Sequence, residues 1–255
     1  MTEKVEVKGE SLVNCAECPR PVCGTPAWPE KVPENCPART KLHIIENAKN
    51  KVLGPEFREF AYNAVKQEGS GYMNLPVVPG VCSGVKTRLE ETIEFANRMG
   101  YKRLGVAFCG GVSNEARMLV EILKHAGFEV ASVRCKCGSI PKEELGIKDW
   151  EKCNPGHFEA MCNPVLQAEL LNDANTDFNI MLCLCVGHDS LFLKHVKALT
   201  TVLAAKDRVL AHNPLAALYL SRSYLRRVRV RERFPDAFKE AAAREAEAAA
   251  KKAGV

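Results

Sequence analysis

Four of the twelve cysteines in this 255-residue chain fall where strands of an α/β sheet are expected to end. They lie in separate segments of the sequence, and they are Cys109, Cys135, Cys162 and Cys185. Ligands of open α/β sheets bind in the crevice beyond the carboxyl ends of the strands, so thiols carried to that edge would converge on one site. Convergent thiols predict a metal ion, an iron–sulfur cluster or a reactive thiol rather than disulfides.

The residues that follow two of these cysteines favour a thiolate that is reactive or metal-bound. Cys109 precedes two glycines, which let the backbone approach a ligand closely. Cys162 precedes Asn163 and Pro164, which are residue types preferred at the N-cap and in the first turn of a helix. Its thiol should therefore lie at a helix N-terminus, where the helix dipole and free N–H groups stabilise the thiolate.

Four further polar residues are expected at the same edge, as groups that surround the thiols or contact a substrate: His188, Asp189, Arg208 and His212. His188 and His212 fall at predicted strand-to-helix turns. Asp189 is predicted to cap the helix that follows Cys185. Helix starts of this kind suit anions, including a cluster ligated by thiolates.

Other cysteines in this part of the chain are weaker candidates. Cys153 is predicted to be a loop thiol, and Cys183, two residues before Cys185 on the same face of a strand, is predicted to be a core residue. The same spacing makes Cys135 and Cys137 an ambiguous pair, because either thiol could reach the edge of the sheet.

A second group of cysteines lies near the amino terminus, in a proline-rich segment with little hydrophobic periodicity. Its spacing is CxxC, then four residues, Cys, twelve residues and Cys-Pro, and its members are Cys15, Cys18, Cys23 and Cys36. A CxxC pair chelates one ion and two further thiolates complete a tetrahedral site, so the spacing predicts a structural metal site. The Cys-Pro ending also occurs in ferredoxin-type sequences. Without a core of its own, the segment should need metal to fold.

Alternating helix and strand patterns supply the sheet that would position the first group of thiols. Strands are predicted at 103–108, 128–134, 178–184 and 200–205, the last extended by 208–212. Helices are predicted at 41–69, 87–100, 114–127, 164–174, 190–199 and 214–225. This order predicts a Rossmann-like α/β fold, with a parallel sheet and helices on both faces.

Three parts are therefore expected: a Cys-rich metal-binding segment over 1–40, the Rossmann-like α/β domain over 41–225 and a basic, Ala-rich helical tail over 226–255. The net charge is +5, and residues 221–255 contain ten Lys/Arg and five Asp/Glu, so the excess belongs to the tail. Nucleic-acid binding by the tail is not favoured, because no aromatic residues alternate with its arginines.

Several classes of protein are not expected. The sequence has no run of 18 apolar residues, so a membrane-spanning helix is not expected. The charged start lacks the apolar region of a secretory signal. The expected location is the cytoplasm, where cysteine-rich sites more often bind metal or carry out redox chemistry. The turn CGGVSN does not match the glycine pattern of dinucleotide-binding sites, so a nucleotide is not expected either.

These segments together resemble an uncharacterised prokaryotic family of proteins that are described as metal-binding. The resemblance covers roughly residues 12–222 and rests on GVAFC, on CNPxxQA, on CVGHDSLF and on KDR followed by HNP, together with the amino-terminal cysteines. It implies metal binding but no reaction. It also implies that Cys135 rather than Cys137 belongs to the site, and that glycine is usual at position 183.

Three functions fit these residues. The first is an iron–sulfur protein with a cluster of the [4Fe–4S] type on the four sheet-edge cysteines, acting in redox or sulfur-transfer chemistry with a small molecule or a redox partner. The second is a Zn²⁺-binding protein without catalysis, in a structural, sensing or metal-carrying role. The third is a metal-free thiol enzyme with Cys162 as nucleophile and His188 or His212 as base.

Overall fold

A computed structural model describes residues 13–74 and 82–229 of the chain. Contacts within the chain divide it into two units, Met1–Ser70 and Gly71–Val255. This division differs from the expected boundary after residue 40, because the helices over 41–69 belong to the amino-terminal unit.

Over residues 13–70, the amino-terminal unit contains three α-helices and very little buried surface. The helices are α1 (Pro37–Thr40), α2 (Leu42–Leu53) and α3 (Arg58–Ser70). The single helix predicted over 41–69 is broken at Gly54 and Pro55, because proline cannot continue a helix and disfavours helical backbone in the residue before it. Among residues 13–70, only Val32, Ala38 and Gln67 are buried.

The second unit is built on a parallel sheet. A short antiparallel pair, β1 (Tyr72–Asn74) and β2 (Cys82–Gly84), comes first in the chain. The sheet then contains β3 (Arg103–Phe108), β4 (Glu129–Arg134), β5 (Phe178–Leu182) and β6 (Thr200–Ala204), in the spatial order β4-β3-β5-β6. All neighbouring strands in it are parallel, which confirms the predicted α/β fold with a parallel sheet.

Burial follows position in the sheet. All of β5 is buried, as expected for a central strand of a parallel sheet covered by helices. Its neighbour β3 is buried from Leu104 to Ala107. Gly105 is required there, because a Cβ at this position would lie 1.9 Å from Oδ1 of Asn179 on β5.

The helices that flank the sheet are α4 (Arg88–Arg98), α5 (Ser113–His125), α6 (Pro164–Asp173) and α7 (His188–His195). Helices α5 and α6 pack on β3 and β4, and α4 contacts β6. Thr87 begins α4 with a capping box, in which its hydroxyl accepts from the N–H of Glu90 and the Glu90 carboxylate accepts from the N–H of Thr87. None of the helices in the described ranges is long and apolar enough to span a bilayer.

Asp177 joins the starts of two neighbouring strands at the amino end of the sheet. It lies just before β5, and its carboxylate accepts from the N–H groups of Lys102 and Arg103 at 2.7 and 2.8 Å. These two hydrogen bonds, with Arg103 the stronger influence, hold the pKa of Asp177 below its usual value.

The carboxyl-terminal part differs from the prediction in two places. Residues 208–212 do not extend β6, because the Asp207 carboxylate accepts from the N–H groups of Val209 and Leu210 at 2.9 and 2.8 Å and forms a turn instead. The helix predicted over 214–225 is only α8 (Leu215–Tyr219). Beyond it the Ser223 hydroxyl donates to the Leu220 carbonyl, a local bond that competes with helix. Most of the predicted helical tail, residues 230–255, lies outside the described residues.

Candidate functional site

The sheet changes direction of winding between β3 and β5. From β3 the chain passes through α5 to β4 on one side, and it then returns through α6 to β5 on the other side. In open α/β sheets the crevice at such a switch point is the usual ligand site. Cys109 follows β3 and Cys135 follows β4, so both thiols lie at this edge of the sheet.

A cavity of about 820 Å³ opens at this edge, and four thiols predicted from separate segments line it: Cys109, Cys135, Cys162 and Cys185. Cys109 and Cys135 are buried, and Cys162 and Cys185 are partly buried. The structure therefore brings together all four cysteines of the first group.

Three of these thiols interact in a row, Cys109 with Cys135 and Cys135 with Cys162. The interaction with Cys135, together with burial, raises the pKa of Cys109 to about 12. The interaction with Cys135 lowers the pKa of Cys162 to about 7. Cys162 is therefore the most readily ionised of the three thiols.

Backbone N–H groups also face these sulfurs. Gly110 donates to Cys135 Sγ at 3.2 Å, and Gly111 donates to Cys109 Sγ at 3.5 Å. A Cβ at Gly110 would lie 2.7 Å from Nε of Arg134, so a larger residue there would displace the Arg134 side chain. The two glycines thus allow a close backbone approach, as their position after Cys109 predicts.

Cys185 is held by a different partner. Its sulfur accepts a hydrogen bond from Nη2 of Arg208 at 3.0 Å, and this contact raises the pKa of the guanidinium. On the other side of the thiols, the Lys206 ammonium hydrogen-bonds Cys109. Two basic side chains from the segment after β6 therefore reach two of the four sulfurs.

Cys162 lies immediately before helix α6, as its Asn-Pro sequence predicts. The Asn163 side chain accepts from the N–H of Leu166 at 2.9 Å, and Pro164 is the first helical residue. The Asn163 N–H donates to the Cys135 carbonyl at 2.7 Å. This bond ties the start of α6 to the end of β4 and brings Cys162 next to Cys135.

The polar residues predicted for the site divide into two groups. His188 and Arg208 line the cavity, whereas Asp189 and His212 do not. Asp189 is not the cap of α7, because the N-cap is Gly187, at φ +83°, two residues earlier, and the Asp189 carboxylate accepts from the N–H of Ser190. His212 instead accepts from the N–H of Asp207 through Nδ1 at 3.1 Å.

Three other cysteines of the second unit differ in burial and in position relative to the cavity. Cys137 is exposed and outside the cavity lining, and Cys183 is buried in the core behind it. Cys183 adopts φ +56°, a backbone conformation that favours glycine. Cys153 is an exposed loop thiol, as predicted, but it also lines the cavity opposite the sheet.

The segment between β4 and α6 forms that opposite wall, which the sequence does not reveal. It consists of turns and two short 3-10 helices, Lys142–Leu145 and Asp149–Glu151, without hydrophobic periodicity. Its lining residues combine charged and apolar side chains, and they are Lys136, Lys142, Leu145, Ile147, Glu151, Cys153, Asn154, Glu159, Ala160 and Met161. With this wall, the thiols lie in a cleft rather than on a flat edge of the sheet.

The amino-terminal cysteines share a separate, smaller cavity of about 260 Å³. All four line it, together with several prolines: Cys15, Cys18, Cys23 and Cys36. In neither cavity, within the described part of the chain, do three or more Cys, His, Asp or Glu side chains lie close enough to hold one metal ion.

Residues 36–203 match the family described as Protein of unknown function, DUF1847. An uncharacterized protein of Methanocaldococcus jannaschii is 42% identical over 217 residues, which are 85% of this chain and 98% of that protein. No solved structure matches the chain. The matches confirm the resemblance to an uncharacterised prokaryotic family, and the matched residues include all five cysteines that line the larger cavity.

Proposed function

We propose that this chain, which belongs to the DUF1847 family of proteins of unknown function, holds an iron–sulfur cluster at the carboxyl end of its sheet. The ligands would be Cys109, Cys135, Cys162 and Cys185, and a cluster of the [4Fe–4S] type would use one thiolate for each iron. The observation that carries the proposal is the convergence of these four thiols, from four separate segments, on one cavity.

The number and type of the ligands fit a cluster. A [4Fe–4S] cluster binds four cysteine thiolates, one for each iron, and the cavity contains the four thiols of the first group. A single tetrahedral Zn²⁺ would use the same four thiolates, and the content of iron and sulfide distinguishes the two.

Hydrogen bonds around the sulfurs give a second line of support. The N–H groups of Gly110 and Gly111 donate to thiol sulfurs, as do the side chains of Lys206 and Arg208. Donors of this kind stabilise the negative charge of ligated thiolates and influence the reduction potential of a cluster. Around neutral core cysteines, such donors would have no negative charge to stabilise.

The surrounding residues would decide what such a site does. A bound cluster supplies one-electron transfer or a Lewis-acidic iron. The wall over residues 136–161 covers one side of the thiols, and His188 lines the cavity where it could donate or accept a proton. A cluster at this site would support either redox chemistry or sulfur transfer.

The amino-terminal cysteines are proposed as a second, structural metal site. Cys15, Cys18, Cys23 and Cys36 face one small cavity in a unit with almost no core. A site of four thiolates with no open position is typical of structural Zn²⁺. Metal would then supply the stability that packing does not.

Metal and sulfide analysis of protein purified without oxygen tests the main proposal. We expect brown protein that contains iron and acid-labile sulfide. Cys109→Ser and Cys162→Ser should each lower both contents, whereas Cys137→Ser, outside the cavity, should leave them unchanged. Colourless protein that contains zinc alone would contradict the proposal.

A thiol enzyme is the second candidate, and the pKa of about 7 at Cys162 favours it. A thiol with this pKa is about half ionised at neutral pH and so is a competent nucleophile. His188 rather than His212 would be the base, because only His188 lines the cavity. In protein freed of metal, Cys162 should be alkylated from about pH 7 upward and Cys109 only at much higher pH. Equal alkylation of the two thiols would argue against this candidate.

A further inference from the structure

The cavity beside the thiols carries an excess of positive charge. Its lining contains the basic residues Arg134, Lys136, Lys142 and Arg208, against only two acidic residues, Glu151 and Glu159. Basic groups in a concave surface raise the local concentration of anions and attract them on approach. The basic residues differ in whether they already have a partner.

Two of the basic residues already have a partner within the site. Lys142 forms an ion pair with Glu159, whose carboxylate also accepts from the N–H of Asn154. Arg208 donates to the Cys185 sulfur, and outside the lining Lys206 contacts Cys109. Arg208 and Lys206 therefore offset the negative charge of ligated thiolates.

Arg134 and Lys136, which flank Cys135 in the sequence, are not engaged in this way. In the described ranges neither forms an ion pair with a carboxylate, and both side chains are exposed. The remaining lining carboxylate, Glu151, accepts from the N–H of Lys148 and so caps the start of the short 3-10 helix Asp149–Glu151. Within the described residues, no carboxylate therefore neutralises either of these two positive charges.

The opposite wall also contains apolar side chains that face the cavity. Leu145 and Ile147 line the cavity, and Leu145 is 66% exposed although it lies in a concave surface. Covering such a side chain with the apolar part of a ligand is favourable, by about 25 cal/mol for each Å² of apolar surface removed from water. An inorganic anion would leave this wall exposed to water.

We infer that the cavity binds a small organic acid. Its carboxylate would pair with Arg134 and Lys136, and its carbon chain would cover Leu145 and Ile147. A volume of about 820 Å³ lies within the range of small-molecule sites and exceeds the space that four thiol groups occupy. This inference rests on the proposed function for the reaction that the acid undergoes, but the binding step does not depend on a cluster.

Thermal unfolding of the full chain, purified without oxygen, measures the binding. The probes are succinate, 3-mercaptopropionate and hexanoate, each compared with its amide, and inorganic phosphate. At least one organic acid should raise the melting temperature in a concentration-dependent way, and its amide should not. Exchanging Arg134→Gln and Lys136→Gln together should weaken that acid about tenfold or more, because each charge-assisted hydrogen bond contributes strongly. The control exchanges Lys194→Gln and Lys197→Gln, two exposed lysines outside the lining, and should bind as the unaltered chain does.

Three results would overturn the inference: no organic acid stabilises the protein, the amides stabilise it equally, or the exchange at Arg134 and Lys136 leaves the affinity unchanged. Stabilisation by phosphate that equals or exceeds that by every organic acid would contradict the role of the apolar wall. Iron and sulfide are measured on the same samples. Binding without iron would reject the cluster and keep the acid site, and iron without binding would do the reverse.

Discussion

The side-chain amide of Gln167 donates a hydrogen bond of 2.7 Å to the backbone carbonyl of Val133, which joins helix α6 to the end of strand β4. The same Nε2 atom donates to the carbonyl of Phe108 at 3.2 Å, at the end of β3. Phe108 and Val133 stand one and two residues before Cys109 and Cys135. The fully buried Gln167 therefore holds together the two strand ends that present these thiols.

Replacing Gln167 with Leu should lower the iron content by more than the loss of unfolding free energy alone would cause. The change leaves two buried carbonyls without this donor, and a loss of about 1–3 kcal/mol in unfolding free energy is expected. The iron content of protein purified without oxygen should fall as well, because the ends of β3 and β4 lose their common partner.

Asn172→Leu on the same helix is the matched control. The Asn172 side chain donates to the His195 carbonyl and accepts from the N–H of Lys197, so it also makes two hydrogen bonds, but away from the cavity. Denaturant unfolding should show a comparable loss of stability without loss of iron. If both variants lose iron in proportion to stability, Gln167 has no specific positioning role.

Local sequence signals predict the parts of this site that depend on local structure. Strand β3 has the predicted bounds because its buried apolar run ends where Cys109 and two glycines begin. The start of α6 follows from Asn163 and Pro164, which supply the cap and the first helical residue. Convergence of the thiols then follows from the parallel sheet, whose strands end at one edge.

Long-range contacts explain what the sequence could not predict. The position of Cys153 on the cavity wall depends on how an irregular segment crosses the carboxyl edge, and turns without periodicity give no direction. The sequence predicts His212 at the site because the apolar residues Val209 and Leu210 suggest a strand that ends at His212. It lies elsewhere because the Asp207 carboxylate accepts from the N–H groups of Val209 and Leu210 and bends the chain into a turn.

Cys183→Gly should be tolerated even though the side chain is buried. Cys183 has φ +56°, where a residue with a Cβ is strained by about 1–2 kcal/mol and glycine is not. Relief of this strain should offset the lost packing, so the unfolding free energy should change by less than about 1 kcal/mol. Cys183→Val, with a branched side chain at the same φ, should cost distinctly more. Denaturant unfolding of both variants checks this, and equal losses would mean that the backbone conformation is not limiting.

Asp177→Asn should destabilise the second unit in a pH-dependent way. The carboxylate that accepts from Lys102 and Arg103 has a lowered pKa in the folded protein, so its stabilisation is fully present above the unfolded pKa of about 4. It is lost as the pH falls toward the folded pKa. Because Asp177 is exposed, we expect only about 1 kcal/mol at pH 7 and little difference near pH 3. The exposed Asp173→Asn is the control, and a pH-independent effect at Asp177 would contradict this account.

Removal of metal should unfold the amino-terminal unit before the α/β unit. Only Val32, Ala38 and Gln67 are buried among residues 13–70, so packing supplies little free energy there, whereas the parallel sheet has a continuous core. With a strong chelator, limited proteolysis should cut first within residues 13–70 and leave a fragment that begins near Gly71. Cys18→Ser should cause the same cleavage without chelator, and Cys82→Ser, outside this unit, should not. Equal resistance of both units to protease after complete removal of metal would show that the four amino-terminal cysteines do not stabilise their unit through metal.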